Sequence, residues 1–142
     1  MPEVVVDSNV VLSARNANAE RHETAQQIVA GIDRGELPRA RVLNYVVPEI
    51  LHPLQKRIRK EVAIETFDRL QESRGYELVH VPDCVHSEAE RLYRLYEDPE
   101  WVDAIIAAYM ASEDLEYVYS FDDDFDSYDW IMRLNSAVDP FA

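Results

Sequence analysis

The stretch Ala104-Ile105-Ile106-Ala107-Ala108-Tyr109-Met110-Ala111 constrains the fold of this chain more than any other. It lies in a predicted helix from Glu100 to Ser112 and is apolar nearly all round. A helix at a protein surface keeps a polar face, so this one must be packed on both sides. The preceding Asp98-Pro99 reads as its start signal, an acid at the N-cap followed by proline at the first helical position. Asp103 sits on the otherwise apolar helix, where an unpaired buried charge is costly.

The remaining chain supplies what such a helix packs against. Val4-Val5-Val6 is β-branched without alternation, as in a strand buried on both faces of a parallel sheet. It ends at Asp7, and Ser8 reads as the cap of a short helix through Val10, Val11 and Leu12. A second helix is predicted from Glu20 to Arg34, with Ala25, Ile28, Val29 and Ile32 on one stripe and Gly35 as its stop. Arg41-Val42-Leu43 reads as a strand, followed by a helix carrying Glu49, Ile50, Leu51 and Leu54. Pro48 suits that helix's first turn, and Pro53 is expected to end or kink it.

Arg59 to Ser73 forms a further amphipathic pattern, with Val62, Ile64, Phe67 and Leu70 inward and Gly75 terminating it. Glu77 to Val81 is a predicted strand, Ser87 to Tyr96 a helix, and Glu116 to Tyr119 a strand. A last strand is expected within Trp130 to Val138. Strands alternating with helices imply right-handed crossovers and a parallel sheet covered on both faces. The expected class is α/β: a three-layer α/β/α sandwich around a central, mainly parallel sheet. In such sheets the working site lies outside the carboxyl ends of the strands.

Length and composition narrow the chemistry. The 142 residues suit one domain spanning 1–142, large enough to need no disulfide or structural metal. The single Cys84 excludes a disulfide framework, and is expected to be a small buried or half-buried residue rather than a nucleophile. The only glycines are Gly31, Gly35 and Gly75, too few and too dispersed for a P-loop, a dinucleotide fingerprint or a nucleophile elbow. His22, His52, His80 and His86 show no zinc-helix spacing, although Glu49 and His52 lie one turn apart. No apolar run approaches the ~18 residues of a membrane span, and the Met-Pro-Glu start has no basic leader, so a cytoplasmic location is expected.

Twenty-eight acids face fourteen bases, a net charge of −14, and Lys56 and Lys60 are the only lysines. Self-repulsion of this size is tolerable where salt screens it, and the Debye length shrinks to about 3 Å at 1 M. Abundant acids with almost no lysine therefore suggest a salt-rich cytoplasm, as in a halophile. Lys56-Arg57-Ile58-Arg59-Lys60 is the only dense basic run. It reads equally as a track for an RNA backbone through Lys56, Arg57, Arg59 and Lys60, or as a solvated loop between helices.

Against this acidic background a few carboxylates stand out by position. Asp7 follows the Val4–Val6 strand directly, and Asp122 follows the last tyrosine of the 116–119 strand by three residues, with Asp123, Asp124 and Asp126 close behind. Glu49 and Asp103 each fall near the start of a helix. Each has a purely structural reading: Asp7 as a cap, Glu49 and Asp103 as first-turn acids, and the 122–126 run as a solvated turn. If both helix starts face the strand ends, Asp7, Glu49, Asp103 and Asp122 converge. Converging carboxylates repel unless a cation lies between them, and the natural occupant is Mg²⁺ or Mn²⁺. One or two such ions suit phosphodiester hydrolysis.

The constellation resembles the PIN-domain ribonuclease family, most closely its small VapC-type toxins. The likeness rests on Val4-Val5-Val6-Asp7-Ser8-Asn9-Val10, Val47-Pro48-Glu49-Ile50-Leu51, Trp101-Val102-Asp103-Ala104-Ile105-Ile106-Ala107-Ala108, and Ser120-Phe121-Asp122-Asp123-Asp124-Phe125-Asp126. It implies an Mg²⁺- or Mn²⁺-dependent endoribonuclease with Asp7, Glu49, Asp103 and Asp122 as catalytic and metal-binding residues and Asp124 as a further ligand. Asn9, Ser120 and Asp126 would orient those carboxylates or the attacking water. It also implies a homodimer and a small antitoxin partner. Ser120 stands where the family more often has threonine, keeping the hydroxyl, and Trp101 where a small polar residue is common.

Other readings fit less well or remain open. A haloacid-dehalogenase-type phosphatase needs a second Asp where Asn9 stands, and a phospho-receiver needs a late lysine, absent beyond Lys60. An RNA-processing PIN nuclease, and a PIN-like module that binds a partner or RNA without cutting, are both compatible with these residues.

Overall fold

The computed structural model describes residues 2–142. The N-terminal valines form β1 (Glu3–Val6), and all three are fully buried, as a strand without alternation demands. β1 is the middle strand of a five-stranded sheet that also contains β2 (Arg39–Leu43), β3 (Tyr76–Val79), β4 (Tyr117–Tyr119) and β5 (Met132–Leu134). The order is β3-β2-β1-β4-β5 and every pairing is parallel. The chain thus builds outward from β1 to β3, then returns to pair β4 on the other side of β1. That reversal makes the carboxyl ends of β1 and β4 a topological switch point, where open parallel sheets leave a crevice.

Helices α1 (Ser8–Ala14), α2 (His22–Asp33), α3 (Val46–Arg57), α4 (Lys60–Glu72), α5 (Asp83–Leu95) and α6 (Trp101–Ser112) make the crossovers, with a short 3₁₀ turn at Asp123–Ser127. The strand register shows which helices lie on opposite faces. Arg41 aligns with Val5 and Glu77, and its guanidinium donates to the Tyr109 hydroxyl at 2.9 Å and to Glu113 at 2.6 Å, at the far end of α6. Tyr76, one position out of phase, points to the other face and donates its hydroxyl to the Val29 carbonyl of α2 at 3.1 Å. The sheet therefore separates α6 from α2, giving the three-layer sandwich. Asp103 through Met110 of α6 are all buried, so the apolar circumference of that helix is fully used.

Several local expectations change. Asp7, not Ser8, caps α1, its side chain accepting from the Ser8 N–H. α6 is capped by Glu100 and begins at Trp101, so Asp98-Pro99 lies before the helix rather than inside it. Pro53 does not end α3. The helix continues to Arg57, because buried Ile50 and Leu54 anchor the turns on either side of the one missing donor. In α4 the buried stripe is Ala63, Thr66 and Leu70, leaving Ile64 half exposed. Thr66 tolerates burial by donating its hydroxyl to the Val62 carbonyl at 2.8 Å.

α5 starts at Asp83, earlier than the expected Ser87, and Cys84 is exposed because it precedes the inward stripe Val85, Ala89, Leu92. Gly35 follows the end of α2 with φ +77, a stop that favours glycine. Gly75 has a different task from ending α4, which stops at Glu72: a Cβ there would stand 2.1 Å from the Ile32 carbonyl oxygen.

At the amino-terminal edge of the sheet, acids and arginines neutralise one another. Glu3 accepts from Arg41 at 2.6 Å and from Arg39 at 3.4 Å, while Arg39 also reaches Glu77 at 3.1 Å. The opposite edge is built differently. Among the described residues no helix is long and apolar enough to cross a membrane.

Candidate metal centre

At the carboxyl edge, the β1–β4 ladder runs on past the strands. The Asp7 N–H donates to the Tyr119 carbonyl at 3.0 Å, which brings Asp7 beside Ser120. The fully buried Ser120 hydroxyl donates to Asp7 Oδ2 at 2.8 Å and accepts from Asn9 Nδ2 at 3.3 Å and the Asp122 N–H at 3.0 Å. Asn9 also donates to Asp7 Oδ2 at 3.2 Å, and its Oδ1 accepts from the Phe121 N–H at 3.2 Å. Asp7 Oδ1 takes the Ser8 N–H at 2.8 Å. One serine and one asparagine therefore hold the first turn of α1 against the segment after β4, and every donor to Asp7 is neutral.

Asp103 enters from α6. Its Oδ2 accepts the Glu100 N–H at 3.0 Å, so the same carboxylate that completes the helix start is pointed at the strand ends. Asp122 caps the 3₁₀ turn through the Asp124 N–H at 2.9 Å. Carboxylate oxygens of Asp7, Asp103 and Asp122 all lie within 4.8 Å of one another, as do those of Asp122, Asp123 and Asp124. Among the described residues none of Asp7, Asp103, Asp122 or Asp124 forms an ion pair with Lys, Arg or His.

The electrostatics register this crowding. Burial is the main cause raising the Asp7 carboxyl above its ordinary value, opposed by its hydrogen bonds from Ser120 and Ser8 and reinforced by the charge of Asp122. Burial likewise lifts Asp103 to about 7, and the charges of Asp122, Asp7 and Asp124 add to it. Asp124 is raised too, by desolvation and then by Asp122 and Asp123. Carboxylates that cost this much to ionise together are stabilised by a cation between them. The donor set is oxygen only, which suits a hard divalent ion such as Mg²⁺ or Mn²⁺.

The matching family profile is that of the PIN domain, over residues 4–131. The chain belongs to the PIN-domain family. Its fold is shared by Mycobacterium tuberculosis VapC20, described as a sarcin–ricin loop cleaving toxin, with TM-score 0.77 and 24% identity over 96% of this chain and 99% of that one. It is also shared by VapBC2 from Rickettsia felis bound to a DNA fragment from their promoter, with TM-score 0.71 and 12% identity over 94% and 98%. A toxin–antitoxin complex from Klebsiella pneumoniae aligns with TM-score 0.66 and 14% identity over 91% and 95%. No curated protein sequence matches the chain.

In this PIN domain the remaining candidates distribute unevenly. Glu49 is in the first turn of α3 and stands outside the 4.8 Å group, linked to it through the Ser8 hydroxyl, which donates to Glu49 Oε1 at 3.1 Å. Burial, then the charges of Asp7 and Glu100, raise its pKa. The linking role of Ser8 was not legible beforehand, because its position after Asp7 suggested only a cap. Asp126 is exposed and pairs with Arg133 through two contacts of 3.1 Å, and it makes no hydrogen bond to Asp7 or Asp122.

Lys56, Arg57, Arg59 and Lys60 are exposed where α3 ends and α4 begins, with Arg59 near Glu61 at 3.7 Å. Arg57 is eight residues beyond Glu49 on α3, ~12 Å along the helix. Among the described residues no histidine joins a metal-binding group. His86 is engaged instead by the Tyr45 hydroxyl and packs on Trp101 at 6.3 Å.

Proposed function

We propose that this PIN domain is a divalent-metal-dependent endoribonuclease acting as the toxin of a toxin–antitoxin pair. The observation that carries the reading is the meeting of Asp7, Asp103 and Asp122 at the strand ends without a protein cation between them. The VapC20 and VapBC2 likenesses support the toxin assignment through what those proteins are described to be.

A bound Mg²⁺ or Mn²⁺ would supply water activation and neutralisation of charge at the scissile phosphate. The protein's own contribution is to hold the carboxylates rigid. Asp7 is fixed by Ser120, Asn9 and the Ser8 N–H, Asp103 by the Glu100 N–H, and Asp122 by its cap. Asp124 extends the donor set, and Glu49 adds a carboxylate at the rim, placed by Ser8. The exposed run Lys56, Arg57, Arg59 and Lys60 then lies where a strand of RNA leaving the rim along α3 would meet cations. In this reading the domain forms a homodimer, is held inactive by a small antitoxin and works in the cytoplasm.

The test is cleavage of RNA by the purified protein with Mg²⁺ or Mn²⁺, and its loss in Asp7→Asn and Asp103→Asn. Equal cleavage by those variants and the parent would overturn the site. A gene for a small protein directly beside this one, whose product copurifies and inhibits, separates a toxin from an RNA-processing nuclease.

A further inference from the structure

Acids outnumber bases two to one on this chain, so an exposed arginine has acids on offer. Arg21, directly before α2, takes none of them. It is exposed and, among the described residues, forms no ion pair. Its guanidinium lies instead over the ring of Phe121, 5.3 Å from the centroid. Contact with a ring face holds a guanidinium in place without using the N–H fork that binds carboxylate or phosphate.

The topology explains why Arg21 stands where it does. β1 and β2 are parallel neighbours, so the helices between them must return the chain from the carboxyl edge of the sheet to the amino edge. α2 ends at Asp33, and the chain then enters β2 at Arg39, opposite Glu3 at the amino edge. Arg21 is at the other end of α2, on the side of the strand ends. Its ring partner belongs to the metal centre's own segment: Phe121 lies between Ser120 and Asp122, and its N–H donates to Asn9 Oδ1 at 3.2 Å. Asn9 also bonds Asp7. The other bases without an ion pair stand elsewhere, with Lys56, Arg57 and Lys60 where α3 meets α4, and Arg69 and Arg74 ahead of β3. Arg133, the other base beside the segment after β4, is taken by Asp126.

We propose that Arg21 binds a backbone phosphate of the RNA, next to the one held at the metal centre, with the N–H fork that Phe121 leaves free. The guanidinium matches two phosphate oxygens at once, and such a contact fixes the strand without reading its sequence. The basic run at Lys56–Lys60 meets the strand along α3, and Arg21 holds it at Phe121. The inference rests on the RNA-cleaving reading above and concerns how so acidic a chain grips a polyanion.

The experiment is fluorescence anisotropy of a labelled single-stranded RNA at several KCl concentrations and one low Mg²⁺ concentration. An Asp7→Asn background keeps the RNA uncut, and thermal melts show that each protein is folded at each salt. Arg21→Gln, Arg21→Lys and Arg34→Gln are added to that background. Arg34 follows the far end of α2 and pairs with Glu36 at 3.4 Å, so it controls for the loss of a positive charge alone. Arg21→Gln is expected to bind every RNA sequence about 10-fold more weakly. Its slope of log affinity against log salt should be shallower by about 0.7, while Arg21→Lys keeps the parent slope. Arg21→Gln behaving like Arg34→Gln overturns the proposal, as does weaker binding with an unchanged salt slope, which would mark a structural role. The two levels separate. If the background binds no RNA, Arg21 and the RNA reading fall together. If the parent cuts RNA while Arg21→Gln matches Arg34→Gln, only the role of Arg21 falls. If Arg21→Gln behaves as expected but the parent cuts no RNA, the nuclease reading falls and Arg21 stays an RNA contact.

Discussion

Ser120 donates its hydroxyl to Asp7 across 113 residues of sequence, at 2.8 Å, and with the same oxygen accepts the Asp122 N–H. A single side chain thus sets the spacing between two carboxylates that come from different strands. Ser120→Ala removes these two bonds and the one accepted from Asn9, and leaves the buried Asp7 short of a donor. RNA cleavage is expected to fall about 10–100-fold, while Ser120→Thr, which restores the hydroxyl, keeps most of it. Cleavage rates of the two variants at saturating Mn²⁺ check this, and equal loss in both would count against the hydroxyl.

Asp103 makes stability depend on pH in an unusual direction. Its carboxyl titrates near 7 in the folded protein against 3.8 unexposed to these neighbours, so the native state binds more protons between those values. Stability without metal therefore falls as pH rises from about 4 through about 7, and the full penalty is present above that. Three units correspond to roughly 4 kcal/mol, as an upper figure. Melting temperatures of the metal-free protein should decline from pH 5 to pH 8 on the order of several degrees. The slope should flatten in Asp103→Asn.

The Asp126–Arg133 pair predicts a contrast with Asp122. Asp126 is exposed and bonds a guanidinium rather than the cluster. Asp126→Asn should cost under about 1 kcal/mol and leave RNA cleavage intact. Asp122→Asn should abolish it. Loss of cleavage in both would return Asp126 to the site.

Net charge governs the response to salt. With −14 on the chain, molar KCl should raise the melting temperature above its value in dilute buffer, and a salt-rich cytoplasm is our proposal for its origin. Full stability in dilute buffer would remove that proposal. Cleavage should follow the same trend until screening weakens the basic run Lys56–Lys60 on RNA.

The α/β class was legible because its signals are local and redundant: an unalternating valine strand, an apolar helix, and stops such as Gly35. Boundaries were less so, since Glu100 and Asp98 are both acids before a helix and only packing chooses between them. Ile64 shows the same limit. A period can be read from sequence, but its phase in α4 is decided by what the helix packs against, and Thr66 tolerates the inward position because its hydroxyl bonds Val62. At the crevice, the nearness of Asp7, Asp103 and Asp122 follows from strand and helix ends meeting at one edge. Asp126 was indistinguishable from Asp124 because both follow Asp122 by even steps, and what separates them is Arg133, a residue of β5.

Because β4 inserts beside β1 after β2 and β3 have extended the sheet the other way, the crevice is closed by a segment made 113 residues after Asp7. A ribosome adds about 5–20 residues per second, so a growing chain spends several seconds with Asp7 in place and Asp122 not yet synthesised. During that interval there is no complete cluster, whatever the metal concentration. On the proposed nuclease reading, the growing chain would in this way stay without its carboxylate cluster until Asp122 has been added.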